Sequence, residues 1–269
     1  MAAGTVCFAV PGRSRSAAVR TGGSGIVCPA SARGREQQRA FGNDVNLAPL
    51  STRAFDAPAS GLLAAQALSC RRGRRWLFQD LDIRLEPGSL TWLRGANGSG
   101  KTSLMRILAG LSAPEAGQVL WNGTPLRQAG AAARRGIVYV GHANALKDDL
   151  TLLEAVAFLG RLTQVPDAGA RARDALERVG LGGQRHLPVR TLSQGQRRRG
   201  ALARLALDAA PRTWILDEPY DALDRGSMAA LSGLIVAHAA AGGAVLLTSH
   251  QDVALAGQRE FDLASHAQP

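Results

Sequence analysis

From about Leu62 onward, short apolar runs alternate with longer amphipathic stretches. That is the pattern of a mostly parallel sheet covered by helices, an α/β chain. Leu90-Thr-Trp-Leu93, Gly136-Ile-Val-Tyr-Val140 and Thr213-Trp-Ile-Leu216 read as buried strands. Leu104, Ile107, Leu108 and Leu111 fall at i, i+3, i+4 and i+7, which predicts a helix with one buried face. Thr151 and Glu154 have capping-box spacing, so a helix is expected to start there. Asn122-Gly123 after Val119-Leu-Trp121 suits the positive φ angles of a tight hairpin turn and predicts a small antiparallel flank. The uncharged stretch from Ala229 to Ser249 is long enough to cross a bilayer. His238 and the Gly242-Gly243 break make it instead a buried helix followed by a core strand, Ala244 to Thr248.

Residues 1 to about 60 depart from this pattern. They are rich in Gly, Ser, Ala, Pro and Arg, hold only three acidic residues and show no sustained period, so they are expected to be disordered. Two explanations stay open: an organellar targeting sequence, or a start assigned upstream of a shorter reading frame, of which the second is preferred. A secretory signal is not expected, because the apolar stretch Thr5 to Val10 has no positive charge before it and Arg13 and Arg15 after it. The folded domain is expected over residues 61–262, with 263–269 as a tail.

Composition narrows the classes. Hydrophobic residues make up 46% of the 269, enough for a real core. The formal charge is +11, but the Lys and Arg are spread along the chain rather than gathered in a patch, so no nucleic-acid partner is expected. Cys7, Cys28 and Cys70 form an odd set without CxxC spacing, which argues against a disulfide framework or a zinc site and for reduced cytosolic thiols.

The strand at Leu90 runs directly into Gly95-Ala96-Asn97-Gly98-Ser99-Gly100-Lys101-Thr102-Ser103, a match to GxxxxGK[ST] between a strand and a helix. Glycines there let backbone amides and the positive helix end approach an anion closely. Lys101 would reach the β- and γ-phosphates of a nucleotide, and Thr102 would place its hydroxyl on Mg²⁺. The strand at Thr213 delivers Asp217 and Glu218 at its carboxyl end, where open α/β sheets bind ligands. Asp217 would support Mg²⁺ and Glu218 would polarise the attacking water as general base.

Between them lies Leu192-Ser-Gln-Gly-Gln196, and beyond them Thr248-Ser-His250. In that order the four motifs resemble the ABC ATPase family over roughly residues 62–262. The resemblance implies a P-loop NTPase (RecA-like) core with a small antiparallel β flank and an α-helical subdomain. It implies ATP and Mg²⁺ as ligands, and a second, similar subunit as partner, expected to be an identical copy. Ser193 and Gly195 would then bind the γ-phosphate held by that subunit, Leu223 and Asp224 would belong to the loop joining the two sites, and His250 would be the switch histidine. Two positions depart from the family pattern. His142 stands where Gln is usual, and is read either as a Mg²⁺ ligand or nucleotide sensor or as a loop residue facing a partner. Arg71 or Arg72 stands where an aromatic residue stacks on adenine, with Trp76 as the alternative.

Within the family, Leu120-Trp-Asn-Gly123, Gly141-His142, Leu146-Lys147, Leu150-Thr151, Trp214-Ile-Leu-Asp-Glu-Pro219 and Thr248-Ser-His-Gln251 are similar to the haem-exporter ATPases of bacterial cytochrome c maturation. Asp221 departs from that subfamily, which usually has a small hydroxyl residue there. The resemblance implies a peripheral subunit on the cytoplasmic face of the inner membrane, docked on a CcmB-like permease with a CcmC-like protein nearby. Another small-molecule exporter ATPase and a soluble ABC ATPase without a permease are the rival readings.

Overall fold

The structure, a computed structural model, describes residues 61–208 and 210–266. The expectations for residues 1–60, with Cys7 and Cys28, lie outside the described residues. Among those described, the strands form two sheets. The first is antiparallel, in the order β2-β1-β4-β5, from β1 (Leu63–Arg72), β2 (Arg75–Leu85), β4 (Ala116–Trp121) and β5 (Thr124–Pro125). Trp121 pairs with Thr124 across Asn122 and Gly123, both at positive φ, so the hairpin turn is the one the dipeptide predicts.

The second sheet is parallel, in the order β6-β7-β8-β3-β9, from β3 (Leu90–Arg94), β6 (Ile137–Val140), β7 (Thr213–Leu216), β8 (Ala244–Leu247) and β9 (Gln258–Asp262). β7 and β8 are buried along their whole length, as expected for strands covered on both faces. On one face, α1 (Lys101–Leu108) and the antiparallel sheet share a core with Leu93, Ile215 and Leu246. On the other, α6 (Arg225–Ala240) packs Leu231 and Ile235 against Trp92, Trp214, Val245 and Leu247. Ala229 to Ser249 is therefore helix then strand, and among the described residues no helix is long and apolar enough to cross a membrane.

A third core belongs to a helical portion. It joins α3 (Leu152–Leu162), α4 (Ala168–Arg178) and the turn after α5 (Gln194–Leu202) through Val156, Ala172, Leu176, Ala203 and Leu207. Thr151 caps α3 as expected: its hydroxyl accepts from the Glu154 amide, and the Glu154 carboxylate accepts from the Thr151 amide at 2.9 Å.

Two expectations shift. Leu111 is exposed, because α1 stops at Leu108 and Gly110, at φ +71°, turns the chain away; Met105 takes the buried place beside Leu104, Ile107 and Leu108. Packing also continues past residue 262, since Leu263 is fully buried in the first core.

Candidate functional site

Because all strands of the second sheet run the same way, the loops after β3, β6, β7 and β8 emerge from one edge. Two of the connections need unusual backbone. Gly95 and Gly100 take φ +146° and +106°, and a Cβ on Gly100 would meet Leu77 Cβ at 3.0 Å. Glycine is thus required both for the loop's curl and for its approach to β2. Lys101 folds back over the loop, donating from Nζ to the carbonyls of Gly95 at 2.7 Å and Ala96 at 3.2 Å. This gathers the ammonium to the loop, while the first amides of α1 have no acceptor within the helix.

Asn97, Gly98, Gly100, Lys101, Thr102 and Ser103 line a cavity of about 250 Å³ together with Asp217, Glu218 and His250. Gly95, Ala96 and Ser99, also on the loop, do not line it. Arg72 and Leu77 complete the wall. Arg71 instead pairs with Glu115 at 2.6 Å, and Trp76 also lies outside the wall, so of the three adenine candidates the structure brings only Arg72 to the cavity.

The acids are held by a neighbouring strand end. Thr248 Oγ1 donates to Asp217 Oδ1 at 3.1 Å and accepts from the Glu218 amide at 3.0 Å. Glu218 itself sits at φ +49°, a left-handed conformation that costs on the order of 1–3 kcal/mol in a bulky residue. Its carboxylate accepts from the His250 amide at 2.9 Å, and its Oε1 lies 3.4 Å from His250 Nε2. One oxygen of Asp217, Oδ2, is buried without a hydrogen-bond partner. A buried carboxylate oxygen without a partner, on a residue that shares a cavity wall with Thr102 and the phosphate loop, fits a small hard cation, which takes few protein ligands and completes its shell with phosphate and water. Burial and the Asp217 charge push the Tyr139 phenol up from its ordinary pKa.

Sequence reasoning did not identify the main brace of these loops. Arg198 on α5 is buried and donates to the carbonyls of Asp217 at 3.1 Å and Glu218 at 2.5 Å. It also donates to Gly141 O at 2.9 Å and Asn144 Oδ1 at 3.3 Å on the loop after β6. Burial lowers its pKa, and the carboxylates around it oppose that.

Ser193 and Gly195 do not line the cavity. Ser193 caps α5 in a capping box with Gln196, and a Cβ on Gly195 would stand 3.0 Å from the Ala222 carbonyl, on the loop that follows the acids. His142 does not line the cavity either. Its exposed ring puts Nδ1 3.5 Å from Asp221 Oδ2, so the residue that stands where the family has Gln faces the residue that departs from the subfamily. Asp224 caps α6 by accepting from the Ser227 amide at 2.8 Å, which lowers its pKa.

A larger cavity, about 870 Å³, lies elsewhere among the described residues, between the end of α1, β4, β5 and Ala133 and Arg134. It contains none of the phosphate-loop residues or paired acids, so size does not locate the chemistry here.

The ABC transporter family matches residues 78–221, more than half of the chain. The chain belongs to the ABC transporter family. As a member it is an ATP-binding subunit with ATP hydrolysis as its activity. Among its relatives, a "Cytochrome c biogenesis ATP-binding export protein CcmA" of Pseudomonas savastanoi pv. phaseolicola is 45% identical over 212 residues, 78% of this chain and 99% of that protein. The CcmA of Nitrosomonas europaea is 44% identical over 194 residues, 72% of this chain and 91% of that protein. The CcmA of Methylococcus capsulatus is 47% identical over 206 residues, 75% and 95% of the two chains. A solved ATP-binding subunit of an ABC transporter matches with a TM-score of 0.64 at 25% identity, over 70% of this chain and 79% of that one. A protein described as a putative ABC transporter ATP-binding protein from Pyrococcus furiosus shares the fold with a TM-score of 0.66 at 22% identity, over 77% and 100%.

Proposed function

We propose that this chain is the ATP-hydrolysing subunit of an ABC transporter complex in cytochrome c biogenesis, powering haem export or release of a haem-loaded chaperone. The observation that supports the pathway is identity of about 45% to CcmA proteins across nearly their whole length. Its ATP chemistry rests on the cavity where the phosphate loop meets Asp217, Glu218 and His250.

In this reading, loop amides from Gly95 to Ser103 cradle the phosphates and Lys101 swings from the loop carbonyls to the β- and γ-phosphates. Arg72 covers adenine with its guanidinium plane. Thr102 and Asp217 would hold Mg²⁺, which would neutralise phosphate charge. Glu218 takes a proton from the attacking water as its oxygen bonds to the γ-phosphorus and the bond to the ADP oxygen breaks. His250, hydrogen-bonded to Glu218, orients that carboxylate and faces the γ-phosphate. Ser193 and Gly195 complete the site of a second copy of the chain. Catalysis is then mostly positioning and electrostatic stabilisation.

The complex would sit on the cytoplasmic face of the inner membrane, with a CcmB-like permease and a CcmC-like protein as partners. Phe158 and Leu162, one turn apart on α3, are both exposed and offer an apolar contact for such a partner.

Haem staining of c-type cytochromes in a host whose only copy carries Lys101→Ala tests the pathway, with expression checked by immunoblot. Loss of covalent haem with b-type cytochromes intact is expected. Normal staining would remove the pathway.

A further inference from the structure

Arg198 occupies the buried junction of two loops at the site. It leaves α5 five residues after the cap Ser193, and its guanidinium bonds both the loop after β7, at Asp217 and Glu218, and the loop after β6, at Gly141 and Asn144. It also lies 3.4 Å from the Pro219 carbonyl. A planar fork with five donors suits such a spread of acceptors, whereas an ammonium serves them only as a point charge. The carbonyls it binds belong to the two acids themselves, one of them at a strained φ. Releasing them would let the Glu218 carboxylate drift, and misplacement by about 1 Å is enough to cost on the order of 100-fold in rate.

We propose that Arg198 is a positioning residue that fixes Glu218 of its own subunit and ties it to the helix whose cap meets the nucleotide of the partner subunit. The proposal rests on the two-subunit site described above. It gives each subunit a rigid link from its α5 cap at Ser193 to the base it supplies to its own cavity.

Mixed dimers separate this from a general loosening of the fold. With Lys101→Ala in one subunit, only the other subunit's cavity turns over ATP. Placing Arg198→Lys in the subunit with the live cavity should lower kcat by about 10- to 100-fold, with ATP affinity within about threefold. Moving Arg198→Lys to the subunit that carries Lys101→Ala, which lends only its α5 cap, should cost less than about threefold. Arg198→Gln, which drops the buried charge, should give the same asymmetry. Equal losses in both arrangements, no loss in either, or failure of both variants to form folded dimers would overturn the proposal, the last by making Arg198 a folding residue. Absence of turnover in dimers with Arg198 intact in both subunits would instead overturn the reading of the site.

Discussion

The ring of His238 lies flat on the indole of Trp214, centroids 3.5 Å apart and planes 5° from parallel. Its Nε2 is 2.8 Å from the Arg212 carbonyl, so the neutral ring carries its proton there and donates. The pair joins α6 to β7, the strand that carries the two acids. Burial lowers the imidazole pKa to about 4.

Because the folded state holds this base neutral while the unfolded chain protonates near an ordinary pKa of about 6.5, the unfolded state binds the extra proton. Stability is therefore fully present above about pH 6.5 and falls as pH drops toward 4, by about 1.4 kcal/mol per unit within that window. Urea melts at pH 7 and pH 5.5 should show it. The loss should shrink in His238→Gln, and a loss unchanged by that substitution would assign it to other groups.

Gly243 closes against the same ring: any Cβ there would collide with His238 Nε2. Gly243→Ala should push the ring off Trp214 and destabilise the chain by about 1–3 kcal/mol, read as a lower urea midpoint. An unchanged midpoint would mean the turn has room that the geometry denies.

Thr248→Val keeps the shape of the side chain and removes both its hydrogen bonds. The Glu218 amide and Asp217 Oδ1 would lose their partner in a buried setting, at a cost of about 1–3 kcal/mol. Turnover should fall by about 10-fold or more while ATP still binds, as steady-state rates and nucleotide titration would measure. Equal turnover would separate Thr248 from the site.

Periodicity and motif spacing put the phosphate loop, the paired acids and His250 at strand ends, and the structure brings them to one cavity, because strand, loop and helix must come in that order to cradle a phosphate. Arg198 was missed because it sits in the run Arg197-Arg198-Arg199, where residue type alone does not mark which arginine turns inward. A signal was there: Arg198, Ala201, Leu202 and Leu205 fall at i, i+3, i+4 and i+7, so the middle arginine shares the buried face. The partnership of His142 and Asp221 is not visible in sequence, since 79 positions' separation is closed only by the pairing of β6 with β7. Leu111 followed the helical period but not the helix, which Gly110 had already ended.

The most direct measurement is ATP turnover by Glu218→Gln, run beside size-exclusion chromatography with and without Mg-ATP. Removing the base while keeping the shape should slow hydrolysis by at least about 100-fold, leave ATP binding intact and trap an ATP-dependent dimer. Undiminished turnover would take Glu218 out of the base role and contradict the account of the site.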